Sequence, residues 1–261
     1  MNKKSLLVVE DSLVQSKIIC QRFGALTSFP LLAAYTMAET ENLASAHKDE
    51  LFAAVVDLNL PDAPNGEAVD ICLAHGIPCI VLAASFDETV RKSFIDKRVA
   101  DYFLKGSIED LEPLVAAVQR IYANYGVKAL VVDDSSTQRA LVKKLLAVQC
   151  ISSVDAADGM DALEVLAAHP EITLVITDYN MPRMDGIELI KKIREKHNIH
   201  RMAVIGLSSS GSGALTAKFL KNGANDFLTK PFEVEEFYWR VNQTLNILDV
   251  MGELKTLRKN G

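Results

Sequence analysis

Two tandem α/β units, each a doubly wound parallel sheet of five strands with five helices, are predicted by three features of this 261-residue chain. The length, at about 150 residues per domain, suits two hydrophobic cores. The chain also repeats itself: SLLVVEDS at 5–12 returns as KALVVDDS at 128–135, DLNLP at 57–61 as DYNMP at 178–182, and ADYFLK at 100–105 as ANDFLTK at 224–230. The offsets of 123, 121 and 125 residues far exceed the ~20–50 residues of solenoid repeats, so they mark a duplicated domain. Within each copy, short β-branched runs alternate with amphipathic stretches, the pattern of βαβ units.

Strands are predicted near 5–9, 31–35, 52–56, 78–83 and 100–104, and again near 128–132, 151–156, 172–177, 202–207 and 225–229. Between them, sets such as Leu141, Leu145, Val148 and Ile187, Ile190, Ile193 step by three or four residues, the spacing of a helix face turned to a core. A helix ending at Tyr122, followed by Gly126 and a new strand, sets the seam. The expected division is 1–122, 127–248 and a helical extension 249–261. The linker is short enough that contact between the units is expected to be part of the design. From Glu233 to Lys259 no proline interrupts, and Val234, Phe237, Val241, Leu245, Leu248, Met251 and Leu254 form a stripe. The last helix is therefore expected to overrun its domain and to suit pairing with a second copy.

Composition excludes several classes. Hydrophobic residues at 49% and charged residues at 24% are the balance of a globular protein, not a disordered one. Lys+Arg number 28 against Asp+Glu 34, so no basic footprint for nucleic acid or an anionic membrane is expected. The excess negative charge lies in residues 1–122, and 123–261 are neutral. The apolar run at 6–9 is too short for a secretory signal, and no run approaches the ~18 residues of a spanning helix; a cytoplasmic location is expected. Cys20, Cys72, Cys79 and Cys150 lack C-x-x-C spacing and are expected to be buried, reduced thiols. The five histidines form no cluster at metal spacing.

Open parallel α/β sheets bind ligands beyond the carboxyl ends of their strands, where the repeated acids fall. In the second copy Asp133 and Asp134 close the first strand, Asp178 the third and Ser208 the fourth, and Lys230 follows the fifth. Three carboxylates gathered there call for a divalent cation with oxygen ligands, and Mg²⁺ suits such a site. It would prepare Asp178 to receive a phosphoryl group as an aspartyl phosphate, with Lys230 pairing to one phosphoryl oxygen and the Ser208 hydroxyl donating to another. The blander reading makes Asp133-Asp134 before Ser135 helix-cap chemistry; recurrence in order, on strand ends and in duplicate, favours the phosphoacceptor.

On these motifs both halves resemble response-regulator receiver domains of two-component signalling, the CheY-like, flavodoxin-like fold. The resemblance implies strand order 2-1-3-4-5, Mg²⁺-dependent phosphoryl transfer from a histidine kinase or histidine phosphotransfer protein, and a conformational readout. It maps Asp133 and Asp134 as the acid pair, Asp178 as the phosphorylation site, Asn180 as a metal ligand through its carbonyl, Ser208 as the switch hydroxyl, Phe227 as the switch aromatic and Lys230 as the lysine, with a cis bond to Pro231 turning it inward. In the first copy Glu10, Asp11, Asp57 and Asn59 become the metal and phosphoryl set, with Lys105 and Tyr102.

The first copy departs from that pattern. Lys105 precedes Gly106, where a cis bond would cost roughly 2.5–4 kcal/mol, so a trans bond and a differently placed lysine are expected. Ala83 stands where Ser208 stands in the second copy, with Ser85 a partial substitute, and five fewer residues separate Gly66 from Ala83 than Gly186 from Ser208. The third helix is therefore expected to lose more than a turn. The DLNLPDAPNG run at 57–66 and the outgoing helix resemble the front half of response-regulator diguanylate cyclases. These residues contain no adjacent Gly-Gly pair and hence no cyclase signature, so no catalytic domain is expected within them. An output domain beyond residue 261 and a stand-alone adaptor both remain compatible. A phosphohydrolase would need a second acid two residues after its nucleophile, and Asn59 and Asn180 hold those positions.

Overall fold

The chain divides into two units, Met1–Tyr125 and Gly126–Gly261, in a computed structural model that describes residues 4–85, 88–105, 111–209 and 213–260. The first unit runs β1 (Ser5–Val9), α1 (Leu13–Leu26), β2 (Leu31–Ala34), α2 (Met37–His47), β3 (Leu51–Asp57), α3 (Glu67–Ala74), β4 (Cys79–Ala83), α4 (Glu88–Lys97), β5 (Asp101–Leu104) and α5 (Glu112–Asn124). The second runs β6 (Lys128–Val132), α6 (Ser136–Val148), β7 (Ser152–Ala156), α7 (Gly159–Ala168), β8 (Ile172–Asp178), α8 (Gly186–Lys196), β9 (Ala203–Ser208), α9 (Gly213–Lys221), β10 (Asp226–Thr229) and α10 (Val234–Asn260). Every strand begins and ends within one residue of its predicted run.

Both sheets are parallel, ordered β2-β1-β3-β4-β5 and β7-β6-β8-β9-β10, the predicted 2-1-3-4-5 order twice over. The inner strands β1, β3 and β4 are buried along their whole length, because helices cover both faces and leave no residue facing water. In the second unit the two faces carry separate apolar clusters, one around Ile187, Ile190 and Phe219, the other around Leu146, Phe237 and Val241.

Short polar caps start the helices that frame the strand ends. Ser12 and Ser135 each accept from the amide three residues on, Gln15 and Gln138, both at 3.4 Å. Ser135, not the acid pair before it, therefore caps α6, and Asp133 and Asp134 are left for other work.

Three expectations need correction. The helix α5 continues to Asn124 rather than stopping at Tyr122; Arg120 Nε donates to the Asn124 side chain at 2.8 Å, and Tyr125 donates to the Phe52 carbonyl at 2.9 Å. α3 has 8 residues against 11 in α8, which is less than a turn of about 3.6 residues; the rest of the shortening falls in the connection, 75–78 against 197–202. Of the cysteines, Cys72 and Cys79 are buried, but Cys20 and Cys150 are only partly so. Lys105-Gly106 lies partly outside the described residues.

The last helix does overrun the sheet. Phe237, Val241 and Leu245 are buried, Leu248 and Met251 half-buried, and Ile247, Val250, Leu254 and Leu257 are exposed. Among the described residues no helix is long and apolar enough to cross a membrane.

Candidate functional site

In the second unit the strand ends bring Asp133, Asp178 and Lys230 together. Asp178 is the last residue of β8 and faces Leu207 in β9, while Ser208 faces Thr229 in β10, directly before Lys230. Lys230 Nζ lies 2.6 Å from Asp133 Oδ2 and 2.6 Å from Asp178 Oδ1. The Lys230-Pro231 bond is cis. The other Asp178 oxygen accepts from the Asn180 amide at 2.7 Å, and Asp133 Oδ1 accepts from the Ser135 amide at 2.8 Å. Asp133, Asp178 and Ser208 are buried, whereas Asp134 and Asn180 are exposed at the rim.

Burial sets the electrostatics. It pushes the Asp178 carboxyl above the usual carboxylate value, an effect that the Lys230 hydrogen bond only partly offsets. Burial pulls Lys230 down, but hydrogen bonds to Asp133 and Asp178 more than offset it, and its net shift is upward. The lysine therefore stays charged beside a carboxylate that pays for its ionisation.

The first unit overturns the expectation of a displaced lysine. Lys105 Nζ lies 2.5 Å from Asp57 Oδ2 and 2.8 Å from Glu10 Oε2, the same bridge as in the second unit, because β5 pairs with β4 in the same register and delivers the lysine just past Leu104. The Asn59 amide donates to Asp57 Oδ1 at 3.1 Å, as Asn180 does to Asp178. Burial raises the Glu10 carboxyl, with Lys105 partly offsetting it. Ala83 faces Leu104, as Ser208 faces Thr229, so the hydroxyl position is filled by a buried methyl group. Ser85 is exposed beyond the strand end.

The oxygen donors fit a hard divalent cation. Among the described residues, Glu10, Asp11 and Asp57 are the one group of three such side chains whose ligand atoms all lie within 4.8 Å of one another. Asp133, Asp134 and Asp178 do not close to that degree, so the complete motif set of the second unit is not the tighter acid cluster. Glu10 has one methylene more than Asp133, which extends its reach.

Tyr102 and Phe227 both pack inside their units. Tyr102 is half-buried against Phe94, ring centroids 5.2 Å apart. Phe227 is buried against Phe219 at 5.1 Å, and Phe219 meets Tyr179 at 5.9 Å. An aromatic chain thus leads from the residue after Asp178 to the residue three before Lys230. Its centre, Phe219, escaped the sequence reading. The available signal was Gly206 inside a strand, a mark of close approach: a Cβ there would lie 2.4 Å from the Phe219 ring.

Known proteins resemble this chain. The model of the response regulator receiver domain matches residues 129–242. The chain is 38% identical over 107 residues to a chemotaxis protein CheY homolog of Campylobacter jejuni, covering 41% of this chain and 82% of that protein. Chemotaxis protein CheY1 of Helicobacter pylori is 38% identical over 107 residues, covering 41% of this chain and 86% of its own length. Two solved structures, each named as a two-component system response regulator/GGDEF domain protein, are 39% identical and cover 95% of this chain and 100% of their own, with TM-scores of 0.86 and 0.85. On these likenesses the chain belongs to the response-regulator receiver family of two-component signalling, in a tandem arrangement.

Proposed function

We propose that the chain is a cytoplasmic phosphoacceptor whose second receiver, 127–248, takes a phosphoryl group on Asp178 from a histidine kinase or histidine phosphotransfer protein. The observation that carries this reading is the Lys230 ammonium held 2.6 Å from both Asp133 and Asp178. An Asp178 oxygen attacks phosphorus, the phosphorus–nitrogen bond to the donor imidazole breaks, and the pair of electrons leaves with the imidazole. Lys230 then exchanges a carboxylate oxygen for a phosphoryl oxygen as its partner, and the Ser208 hydroxyl donates to a second one. Asp133, Asp134, Asp178 and the Asn180 carbonyl would hold Mg²⁺, which would supply charge neutralisation for the transferring group. Movement of Ser208 toward the phosphoryl group is relayed through Phe227, which alters contacts of the domain or its pairing with a second copy.

The first receiver, 1–122, offers Glu10, Asp11, Asp57 and Asn59 to Mg²⁺, with Asp57 at the position that Asp178 holds in the second. Its Lys105 is in place, and Ala83 leaves Tyr102 without a hydroxyl to follow. That favours a second reading for this unit alone, a protein-contact module that works without phosphorylation. The extension 249–261 leads to an output domain, a diguanylate cyclase by the likeness to the two response regulator/GGDEF structures.

Incubation with a small-molecule phosphodonor and Mg²⁺, followed by intact mass, tests the assignment. One adduct that disappears in Asp178→Asn and persists in Asp57→Asn is expected. An adduct that survives in Asp178→Asn/Asp57→Asn would refute it.

A further inference from the structure

The residue five positions beyond each strand-end aspartate reaches to the start of the helix preceding that strand, and the two units make this link with opposite charge. In the second unit Arg183 Nε donates to Asp158 Oδ2 at 2.5 Å and Nη2 to Asp161 Oδ1 at 2.6 Å. Asp158 is the buried N-cap of α7 and accepts from the amides of Met160 and Asp161 at 2.8 and 3.1 Å. In the first unit the same place holds Asp62, which accepts from the Met37 amide at 2.9 Å, while the cap of α2 is the neutral Thr36. Each unit therefore presents one loop-facing carboxylate to a helix start, where unsatisfied amides favour negative charge. Only its owner differs: the loop in the first unit, the helix cap in the second.

The link has a mechanical consequence in the second unit. Arg183 is held at φ +62°, a left-handed conformation that persists only where neighbours over-determine it. Met184 beside it packs so closely over Gly159 that a Cβ there would lie 2.6 Å from the Met184 Cγ. The loop so anchored carries Asn180, whose amide orients the Asp178 carboxylate at 2.7 Å. Resting on the function proposed above and deepening it, we propose that Arg183 is a positioning residue that latches the Asn180 loop to α7 and thereby sets the Mg²⁺ affinity of the second receiver. The hydrogen bonds of Arg183 go to Asp158 and Asp161, not to Asp133, Asp178 or Asn180.

The two units supply the test, because the arrangement of one can be written into the other. The full chain carrying Asp11→Asn and Asp57→Asn, to silence the first unit, is titrated with MgCl2 by calorimetry. Arg183→Asp places a third carboxylate against Asp158 and Asp161 and is expected to raise the Mg²⁺ Kd about tenfold, the low end of the loss for a direct partner of a metal ligand, since Arg183 acts through the loop. Arg183→Ala falls between it and the parent. Asp158→Thr/Arg183→Asp, which recreates the first unit's pairing, returns the Kd to within about threefold of the parent. Parent-like Kd values in Arg183→Ala and Arg183→Asp would overturn the proposal, as would a double variant as weak as Arg183→Asp or a parent that binds no Mg²⁺. Thermal melts in EDTA verify folding; if Arg183→Asp does not fold, Arg183→Ala and the double variant decide. Failure of the functional reading looks different: the parent forms no adduct on Asp178 while the Mg²⁺ cycle holds.

Discussion

Lys230 donates to Asp178 at 2.6 Å across the ends of two strands, β8 and β10, that are not neighbours in the sheet. The same ammonium holds Asp133, so one cation balances two buried carboxylates. Removing it leaves both uncompensated, and breaking a buried pair costs about 3–5 kcal/mol. Lys230→Met is therefore expected to lose about 3 kcal/mol of urea-unfolding free energy at pH 8 without metal. The loss shrinks as pH falls and Asp178, whose carboxyl is raised by burial, regains its proton.

The Asp178 carboxyl itself gives a pH signature. Its value in the folded protein is raised above 3.8, chiefly by burial. A carboxyl raised on folding favours the folded state while protonated. That contribution is complete below the unfolded value and is lost as pH rises through the folded one. In metal-free buffer Asp178→Asn, which cannot ionise, is expected to gain on the wild type across that window and then hold a constant advantage. Mg²⁺ at 100 times its Kd adds about 2.7 kcal/mol to a binding-competent chain, so it should narrow or reverse the gap. A pH-independent difference in urea midpoints would contradict the account.

Arg194 staples α8 to the turn before β10. It donates to the carbonyls of Gly223 at 2.8 Å and Met202 at 2.9 Å, and to Asn225 Oδ1 at 3.0 Å. Arg194→Met keeps the stem but removes these bonds; Asn225 Oδ1 keeps the Val204 amide at 2.9 Å, and an acceptor left unsatisfied in a buried place costs about 1–3 kcal/mol. A loss of about 2–3 kcal/mol with an unchanged denaturant m-value is expected.

Gly206→Ala tests the aromatic chain. The added methyl has no room beside Phe219, and overpacking of this kind costs about 1–3 kcal/mol. If Phe219 couples Tyr179 to Phe227, phosphodonor-induced shifts of the Phe227 ring protons in NMR spectra should diminish in this variant; undiminished shifts would remove Phe219 from the relay.

The exposed side chains Ile247, Val250, Leu254 and Leu257 step by three, four and three residues along α10, a heptad seam suited to a second copy. Ile247→Glu/Leu254→Glu is expected to lower the sedimentation-derived mass toward one chain, with the adduct on Asp178 retained. Equal masses for wild type and variant would place any pairing elsewhere.

Periodicity was enough to find ten strands, because a buried parallel strand must be apolar along its whole length and the runs are short and punctuated. The duplicated acids and lysines were legible for the same reason: strand ends are where such a sheet gathers side chains. The placement of Lys105 was not. Local chain chemistry at Gly106 suggested a divergent lysine, yet pairing of β5 with β4 in register carries it to Asp57 regardless. Arg194 and Arg183 were silent too, since their partners lie far along the chain and an isolated arginine in a polar stretch reads as a solvated charge.

The sequence by itself determined that the chain contains two parallel α/β units with carboxylates, an asparagine and a lysine at corresponding strand ends, since burial on both faces leaves little choice of residue along a strand. Only the tertiary structure decided which oxygen each lysine reaches, that the first unit's acids cluster more tightly than the second's, and that Asp62 and Arg183 make one link with opposite charge. Those outcomes depend on distances set by strand register and loop packing, which no local pattern of residues encodes.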